Sequence, residues 1–545
     1  MNDLQNYFDS CKYLIPEFCL VFSIIMATLW NLFVPKHKEW TSFWSILGLV
    51  AAMGFMAPQF ALESQALFGG LFTLDRLTVG FGLLSCFVGI IVILMTVGYE
   101  HHLGRNRGEF YAILLTAVLA VMLLAGSTDL IMLFVSLETL SICCVLLAGF
   151  SKTDPRSSEA ALKYLLSTAA TTATLLYGLS FIYGLTGSTN FAEIHEKFEL
   201  LFATSRDVIG LIFLLVLLLS AVGFKLSMVP FHMWTPDVYE GAPTPVTAFL
   251  SIGSKAGGFV VALRLITDVF SKASQEWILV VSVLAMLSMI VGNLVALAQK
   301  SFKRMLAYSS IAHVGYILIG IVANNHEGLS AMFYYIIVYG FMNLGAFAGA
   351  IMFSNETGSD NIDDYAGLIR KRPLLALGIG VCLLNLAGLP IPPAGFFAKF
   401  FIFWSGLGLT TPMGTLTIGT TPVAVTLGGL VVAVALITSV PAIFYYSRVV
   451  IKMIVKPPSE LVEALPQRRA YIDSPQEAPA LALAVCLIVI TATGTTFIDP
   501  VMKFSRESVR PLISAPEGQS PLGLWHDGGT TLPAAILPGS NNLFK

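Results

Sequence analysis

Apolar runs of about twenty residues recur along the whole chain and are separated by short polar stretches. A run of this length crosses a hydrocarbon core of about 30 Å as an α-helix. The pattern therefore predicts an all-α polytopic membrane protein with about fourteen transmembrane helices. The predicted spans are 15–34, 42–61, 77–98, 110–126, 129–150, 161–185, 208–231, 243–267, 276–298, 304–323, 329–353, 373–405, 421–450 and 478–498.

Composition agrees with this pattern, because 56% of the 545 residues are hydrophobic and only 12% are charged. A soluble protein carries about 25% charged residues, so a lipid bilayer must cover much of this surface. The net charge of −2 gives no indication of a nucleic-acid partner. Cys143 and Cys144, the one adjacent pair among seven cysteines, are expected to be small buried residues, since no metal-binding spacing is present.

Basic residues test the predicted topology, because they favour the loops on the cytoplasmic side. Seventeen lie in or beside the odd-numbered predicted loops, and four lie in the even-numbered ones. The asymmetry predicts that both termini lie on the outer side of the membrane. We expect this membrane to be the bacterial inner membrane, so that the outer side is the periplasmic side. The first residues carry no basic segment or cleavage site typical of a removable signal peptide.

Five further basic residues lie within the predicted spans or beside breaks in them: Lys163, Lys225, Lys255, Arg264 and Lys399. Arg264 is near a span end and is expected to snorkel to the interface. A single lysine near a span end is as often an anchor as a functional group. Four lysines on separate helices, with Glu138 in mid-span, instead favour a line of groups that exchange protons.

Prolines interrupt two of these spans. Pro230 follows Lys225 by five residues in the seventh span, and three prolines lie between Gly388 and Lys399 in the twelfth. Interrupted helices that carry a charge are typical of an ion path. Because the two breaks are five spans apart, the pattern predicts two inverted five-helix repeats, spans 4–8 and 9–13. The predicted organisation is helices 1–3 in 1–109, the repeats in 110–267 and 276–452, a loop and helix 14 in 453–499, and an extended tail in 500–545.

Two histidines are further candidates for the proton path. His313 lies in mid-span one turn after Ser309 and Ser310. A buried histidine more often serves packing, but this position between the two predicted repeats makes a relay role about equally favoured. His232, close to Trp234 at a helix end, is a weaker candidate for which a structural role is favoured.

Nucleotide-binding and redox motifs are absent from the sequence. It contains no glycine-rich fingerprint, no P-loop and no cysteine quartet for an iron–sulfur cluster. We therefore expect no cofactor in this chain, and the energy for any pumping must come from another subunit.

Three stretches resemble the antiporter-like membrane subunits of respiratory complex I (NADH-quinone oxidoreductase). They are GFKLSMVPFHMWTPDVYEGAPTPV at 223–246 (followed by SKA at 254–256), KRMLAYSSIAH at 303–313, and GLPIPPAGFFAK at 388–399. The first is similar to subunit N of the bacterial complex and to its counterpart in the chloroplast and cyanobacterial NADH dehydrogenase-like complex. The resemblance runs from about the third to the thirteenth span and does not cover the termini.

The resemblance implies a role for each buried charge. Glu138 matches the fifth-helix glutamate and Lys163 its ion-pair partner, Lys225 and Lys399 match the lysines of the two broken helices, and Lys255 matches the lysine that bridges them. It also implies proton translocation coupled to quinone reduction, with neighbouring antiporter-like subunits as partners. NADH, FMN, iron–sulfur clusters and quinone would then belong to partner subunits.

Three other classes of protein stay open. A cation/proton antiporter subunit without a redox partner would share the lysines, although the stretch 234–245 favours complex I. A structural membrane subunit with vestigial charges is disfavoured, because all five matched positions hold titratable groups. A solute permease has no positive support.

Overall fold

The computed structural model describes residues 2–34, 40–99, 107–204, 208–418, 421–466 and 476–512. Within them the chain is mainly helical, as predicted. The helices are α1 (Asn2–Tyr13), α2 (Ile15–Phe33), α3 (Trp40–Met56), α4 (Arg76–Val97), α5 (Arg107–Gly126), α6 (Leu130–Ala148), α7 (Pro155–Thr186), α8 (Phe191–Thr204), α9 (Val208–Leu226), α10 (Trp234–Gly241), α11 (Thr244–Arg264), α12 (Ser274–Leu297), α13 (Phe302–Val322), α14 (His326–Thr357), α15 (Pro373–Ala387), α16 (Ala394–Leu407), α17 (Leu427–Val455), α18 (Glu460–Glu463), α19 (Glu477–Gly494) and α20 (Ile498–Val509).

Twelve helices in this described part are long and apolar enough to cross a membrane: α2 to α7, α11 to α14, α17 and α19. The prediction of an all-α polytopic membrane protein is therefore confirmed. The seventh predicted span, 208–231, covers α9 and the first residues of a break, and the short helix α10 follows beyond its predicted end. The twelfth predicted span falls on two short helices, α15 and α16, separated by a second break. Both breaks lie where the prolines predicted them.

Two antiparallel hairpins interrupt the helical pattern. Strands β1 (Gln65–Leu67) and β2 (Phe72–Leu74) precede α4, and β3 (Pro412–Ile418) and β4 (Thr421–Thr426) precede α17. The second hairpin corrects the predicted span 421–450, because α17 begins only at Leu427. The hydroxyl of Thr426 caps that helix by accepting a hydrogen bond from the backbone N–H of Gly429, 3.1 Å away.

The predicted extended tail at 500–545 is wrong for its first residues. Helix α20 spans Ile498–Val509, and a short 3-10 turn continues to Leu512. Pro500 is compatible with this helix because it lies in the first turn, where its missing N–H leaves no hydrogen bond unmade. Residues 513–545 of the predicted tail lie outside the described residues, as do residues 467–475 of the predicted loop.

Contacts between the connections define two opposite faces. The connection after α3 bridges to that after α5 through Phe72 and Ser127, and the latter bridges to the connection after α7 through Asp129 and Asn190. They correspond to predicted loops 2, 4 and 6, counted between the fourteen predicted spans, and the face that they form is called the even face. Predicted loops 9 and 11, which are the connections after α12 and α14, are bridged by the residues Ser301 and Asn361 at the other face, called the odd face. This grouping is the alternation that the sequence predicts.

The helices differ sharply in burial. Helices α11, α13 and α14 are buried almost throughout, whereas only about a quarter of the residues in the apolar parts of α2, α3 and α7 are buried. The central helices also approach closely: a Cβ on Gly292 of α12 would lie 2.6 Å from the backbone nitrogen of Ala312 on α13. Any side chain larger than hydrogen at Gly292 would therefore push these helices apart.

The prediction that Arg264 snorkels to the interface is wrong, because this residue lies in a buried ion pair. Its side chain is 3% exposed, and its guanidinium lies 2.8 Å from a carboxylate oxygen of Asp75 and 3.4 Å from one of Asp268. It also donates to the carbonyl of Ala125 at 3.0 Å. Because Asp75 precedes α4 and Ala125 lies in α5, this arginine joins three helices at the even face.

We expect Asp75→Asn to destabilise the protein by about 3 kcal/mol, because the buried guanidinium loses its main counter-charge. Asparagine still caps α4, so the change removes charge and preserves the cap. Heat-induced unfolding of the purified protein in detergent measures the effect. The control is Arg76→Gln, which breaks a half-exposed ion pair with Glu507 and should cost at most about 1 kcal/mol. Equal losses in the two variants would contradict this assignment.

Candidate functional site

Lys225 lies in the last turn of α9, directly before the first helix break. Its side chain is 2% exposed, and its Nζ donates to the hydroxyl of Ser141 on α6 at 3.1 Å. The break itself is satisfied from a neighbouring helix, since the backbone N–H of Val229 donates to the hydroxyl of Ser288 at 3.0 Å. The interruption therefore places a lysine in the interior without leaving this N–H unpaired.

Glu138 lies one turn before Ser141 on α6, so both residues face the same neighbours. A carboxylate oxygen of Glu138 accepts a hydrogen bond from the hydroxyl of Thr172 on α7 at 2.6 Å. Glu138 and Lys225 line one cavity of about 10 Å³, which is about the smallest volume that holds a water. The acid and the lysine therefore face each other across a small polar space.

The predicted ion pair between Glu138 and Lys163 is wrong in this structure. Lys163 on α7 instead binds carboxylate oxygens of Glu159 and Asp237, each 2.8 Å from its Nζ. Thr172, which binds Glu138, is nine residues further along α7, a rise of about 13.5 Å. The physical reason is the short helix α10, which brings Asp237 to the odd-face end of α7, much closer to Lys163 than Glu138 is.

Lys163 belongs to a charge cluster at the odd face that the sequence prediction missed. Arg304 binds Asp237 at 2.9 Å and Glu240 at 2.8 Å. The cluster, formed by Arg156, Glu159, Lys163, Asp237, Glu240 and Arg304, lines an open cavity of about 340 Å³. The sequence did contain an indication of this cluster: Asp237 and Glu240 are three residues apart, so their carboxylates lie on the same face of a helix.

His232 lies in the break between α9 and α10 and is half-buried. Its Nδ1 is buried and has no hydrogen-bond partner among the described residues. The carbonyl of His232 accepts the backbone N–H of Thr235 at 3.0 Å, which helps to start α10. This contact gives His232 a structural part in the break.

Lys255 lies at the centre of the bundle on α11, with 1% of its side chain exposed. Its Nζ donates to the hydroxyl of Ser310 on α13 and lies 3.2 Å from the carbonyl of the same residue. Lys225 packs against the same helix: a Cβ on Gly258, one turn after Lys255, would lie 3.4 Å from Cβ of Lys225. The two lysines therefore occupy facing positions of α9 and α11.

His313 lies one turn after Ser310 and is enclosed by tyrosines. Its Nδ1 is 2.9 Å from the hydroxyl of Tyr335, and its Nε2 is 3.3 Å from that of Tyr446. The hydroxyl of Tyr446 also binds the hydroxyl of Ser309. Because Ser309 and Ser310 are consecutive, one short stretch of α13 contacts both Lys255 and the surroundings of His313.

Lys399 lies on α16, just after the second break, and is 7% exposed. Its Nζ donates to the carbonyl of Ala387 at 2.8 Å and lies 5.3 Å from the ring centroid of Tyr316, a cation–π contact. Gly388 has a φ of +88°, and a Cβ there would lie 2.8 Å from Cδ of Lys399. The glycine therefore both permits the turn and leaves room for the lysine side chain.

The Tyr316 ring, which Lys399 contacts, is fixed in place by side chains of α12 and α17. The hydroxyl of Tyr316 accepts a hydrogen bond from the side-chain amide of Asn293 at 2.9 Å and lies 3.4 Å from the hydroxyl of Thr438. Asn293 follows Gly292, the residue that allows α12 to approach α13. The tyrosines were missed as site residues because aromatic residues within a predicted span suggest packing first.

These contacts place six of the seven predicted site residues on the neighbouring helices α6, α7, α9, α11, α13 and α16. Lys225, Lys255, His313 and Lys399 are buried, Glu138 is half-buried, and Lys163 lies exposed at the odd face. Among the described residues no group of three or more His, Cys, Asp or Glu side chains is arranged to hold a metal ion. The arrangement consists of amines, an imidazole, a carboxyl and hydroxyls, all of which can exchange protons.

Comparison with known proteins defines the class of this chain. Residues 127–426 match the model of the transmembrane region of NADH:quinone oxidoreductase and Mrp antiporter proteins. The chain therefore belongs to this family, and the resemblance predicted from the sequence is confirmed. It is 46% identical over 454 residues to NAD(P)H-quinone oxidoreductase subunit 2 of Thermosynechococcus vestitus, a match that covers 83% of this chain and 84% of the relative.

Solved structures agree with the fold. A chain of respiratory complex I from Thermus thermophilus is similar with a TM-score of 0.69 and 30% identity, covering 90% of this chain and 99% of that one. A chain of the Mrp complex from Dietzia sp. has a TM-score of 0.73 and 18% identity, covering 91% and 97%. At that identity the second match shows the shared fold alone.

A double-mutant cycle tests which lysine Glu138 faces. We expect a coupling energy of about 0.5–3 kcal/mol between Glu138→Gln and Lys225→Met, because these side chains share one cavity. The coupling between Glu138→Gln and Lys163→Met should be near zero. Thermal unfolding of the single and double variants measures both values. The cycle of Lys163→Met with Asp237→Asn is the positive control, and a larger coupling of Glu138 to Lys163 than to Lys225 would overturn the assignment.

Proposed function

We propose that this chain is a proton-translocating membrane subunit of an NADH-quinone oxidoreductase (complex I). In this proposal, quinone reduction in partner subunits drives protons through the buried lysines and Glu138. The family to which the chain belongs supports this function, as do its relatives named as NAD(P)H-quinone oxidoreductase subunits. Charged side chains at membrane depth are costly and occur mainly where an ion or proton must pass.

One observation carries the proposal: polar contacts follow one another across the bundle interior. Lys255 binds Ser310, the adjacent Ser309 binds Tyr446, and Tyr446 lies at hydrogen-bond distance from His313. His313 packs edge-on against Tyr316, whose ring faces Lys399. Hydroxyl and imidazole groups can both donate and accept hydrogen bonds, so the groups from Lys255 to His313 can pass a proton in the direction of Lys399, and the ring contacts of Tyr316 place Lys399 next to His313.

Each titratable group then has a specific part. Glu138 and Lys225 exchange a proton across their shared cavity, and Lys255 connects this pair to the second half of the proton path. Lys399 is the terminal group, and Lys163 lies in the charge cluster at the odd face. His313 is an intermediate acceptor, and His232 is a weaker candidate at the first break.

The interrupted helices support two inverted repeats. If α9 with α10 and α15 with α16 each cross the membrane once, they add two crossings to the twelve long helices, which makes fourteen.

The remaining parts of the reaction belong to other subunits in this proposal. NADH, FMN, iron–sulfur clusters and quinone bind in partners, and neighbouring antiporter-like subunits contact this chain within the membrane arm. The membrane is the inner membrane of a bacterium, with the odd face in the cytoplasm and both termini outside. The excess of basic residues in the odd-numbered loops supports this orientation.

Substitutions of Lys399 test whether it transfers protons or only anchors a helix. We expect proton flux in the order Lys, then His, then Arg, with Ala near Arg. Guanidinium stays protonated at any working pH and cannot release a proton, whereas imidazole can. Flux is measured per quinone reduced in vesicles that contain the assembled complex. Wild-type flux in Lys399→Arg would mean that this residue is a fixed charge.

The same preparation separates complex I from an antiporter without a redox partner. The complex is purified through a tag on this chain, and its flavin and iron–sulfur content is measured. Their presence in constant proportion to this chain is expected. Their consistent absence from an intact, active preparation would favour the antiporter.

Reporter fusions test the orientation. A fusion after Lys545 should report the outer side and a fusion in the loop at Lys371 should report the cytoplasm, because the basic loops favour that compartment. A pair of reporters active in opposite compartments, one exported and one cytoplasmic, gives a signal at each site. If both sites report the same side, the topology is wrong.

A further inference from the structure

Helix α7 carries a series of hydroxyl groups between the charge cluster and Glu138. Ser167, Thr168, Thr171 and Thr172 follow Lys163 within nine residues. The first, Ser167, is half-buried, whereas Thr168, Thr171 and Thr172 line the cavity that contains Glu138 and Lys225. One helix therefore connects the open odd-face cavity with the interior one.

Most of these hydroxyls already donate their hydrogen to a fixed acceptor. Ser167 donates to the carbonyl of Lys163 at 2.8 Å, and Thr171 donates to the carbonyls of Ser167 and Thr168 at 3.1 and 3.0 Å. Thr172 donates to Glu138. Each of these bonds would have to break before its hydroxyl could pass a proton onward.

Thr168 differs from its neighbours. Its side chain is 5% exposed, and its hydroxyl is buried without a hydrogen-bond partner among the described residues. A buried hydroxyl without a partner costs about 1–3 kcal/mol, so it is unfavourable unless a water or a transferring group binds there. Thr168 is also five residues from Lys163, an axial rise of about 7.5 Å with a turn of about 140° around the helix, so water must bridge the two side chains.

We propose that the hydroxyl of Thr168 relays protons from the charge cluster at the odd face to Glu138 and Lys225. The inference rests on the proposed function and adds the point of entry to it. In the relay step, a hydrated proton from the Lys163 side binds the Thr168 oxygen. The O–H hydrogen of Thr168 passes through the shared cavity to Glu138 or to a neutral Lys225. One O–H bond forms as another breaks, and rotation of the hydroxyl restores the starting state.

Thr168→Val tests the relay because valine has the same shape without the hydroxyl. A buried hydroxyl without a partner contributes nothing favourable to stability, so the variant should fold at least as well as the native chain. We expect proton flux to fall on the order of tenfold, less than the ~10²–10⁴ of a lost acid–base group, because water partly replaces the hydroxyl. Thr168→Ser should restore most of the flux.

The matched control is Thr174→Val on the same helix. Thr174 is half-buried, donates to the carbonyl of Ala170 at 2.9 Å and does not line the cavity of Glu138 and Lys225, so loss of its hydroxyl should leave the flux unchanged. The solvent deuterium isotope effect on flux is a second measurement, since slowed proton transfer in Thr168→Val should increase it. A purely structural role for Thr168 would not change this effect.

The outcomes separate the relay from the function on which it rests. If Lys399→Arg lowers flux but Thr168→Val does not, the relay is wrong and the proposed function stands. If neither variant lowers flux in assembled complexes, Lys399 is a fixed charge, and the proposed path of protons through this chain fails together with the relay. If Thr168→Val and Thr168→Ser lose flux equally, without an increased isotope effect, the side chain acts through packing and the relay is overturned.

Discussion

The free-energy cost of burying a charged amine governs the arrangement of the whole interior. A lysine or arginine at membrane depth must find oxygen acceptors, because hydrocarbon offers none. The chain supplies them in three ways: a serine hydroxyl for Lys225, a hydroxyl and carbonyl of one residue for Lys255, and a helix-end carbonyl with an aromatic face for Lys399. None of these acceptors is a carboxylate, so each amine is held without being fixed in a strong ion pair.

Arg264 shows the opposite solution. It is equally buried, but two carboxylates and a backbone carbonyl bind it. Full pairing suits a permanent charge that joins helices, whereas hydroxyl and carbonyl contacts suit a group that must change its protonation state. If the lysines exchange protons as proposed, this difference in partners separates them from Arg264, whose charge serves the structure.

Helix spans, helix breaks and buried lysines were predictable because each depends on residues close together in the sequence. Runs of apolar residues determine the spans, and Pro230 and the prolines before Lys399 mark the breaks. The long-range partners of Lys163 and Arg264 were not predictable, because Asp237 and Asp75 are distant in sequence and only packing brings them near. The β3–β4 hairpin was also missed, since its apolar residues continued the pattern of the next helix.

The charge cluster at the odd face contains three basic and three acidic side chains, so its formal charges cancel. A cluster with no net charge creates little long-range electrostatic field, so it neither attracts cations nor repels anions from solution. Arrival of protons there would depend on hydrogen-bonded contact with water more than on attraction across distance. Access to the interior would then be nearly insensitive to the ionic strength of the surrounding compartment, since screening acts on fields that this opening scarcely produces.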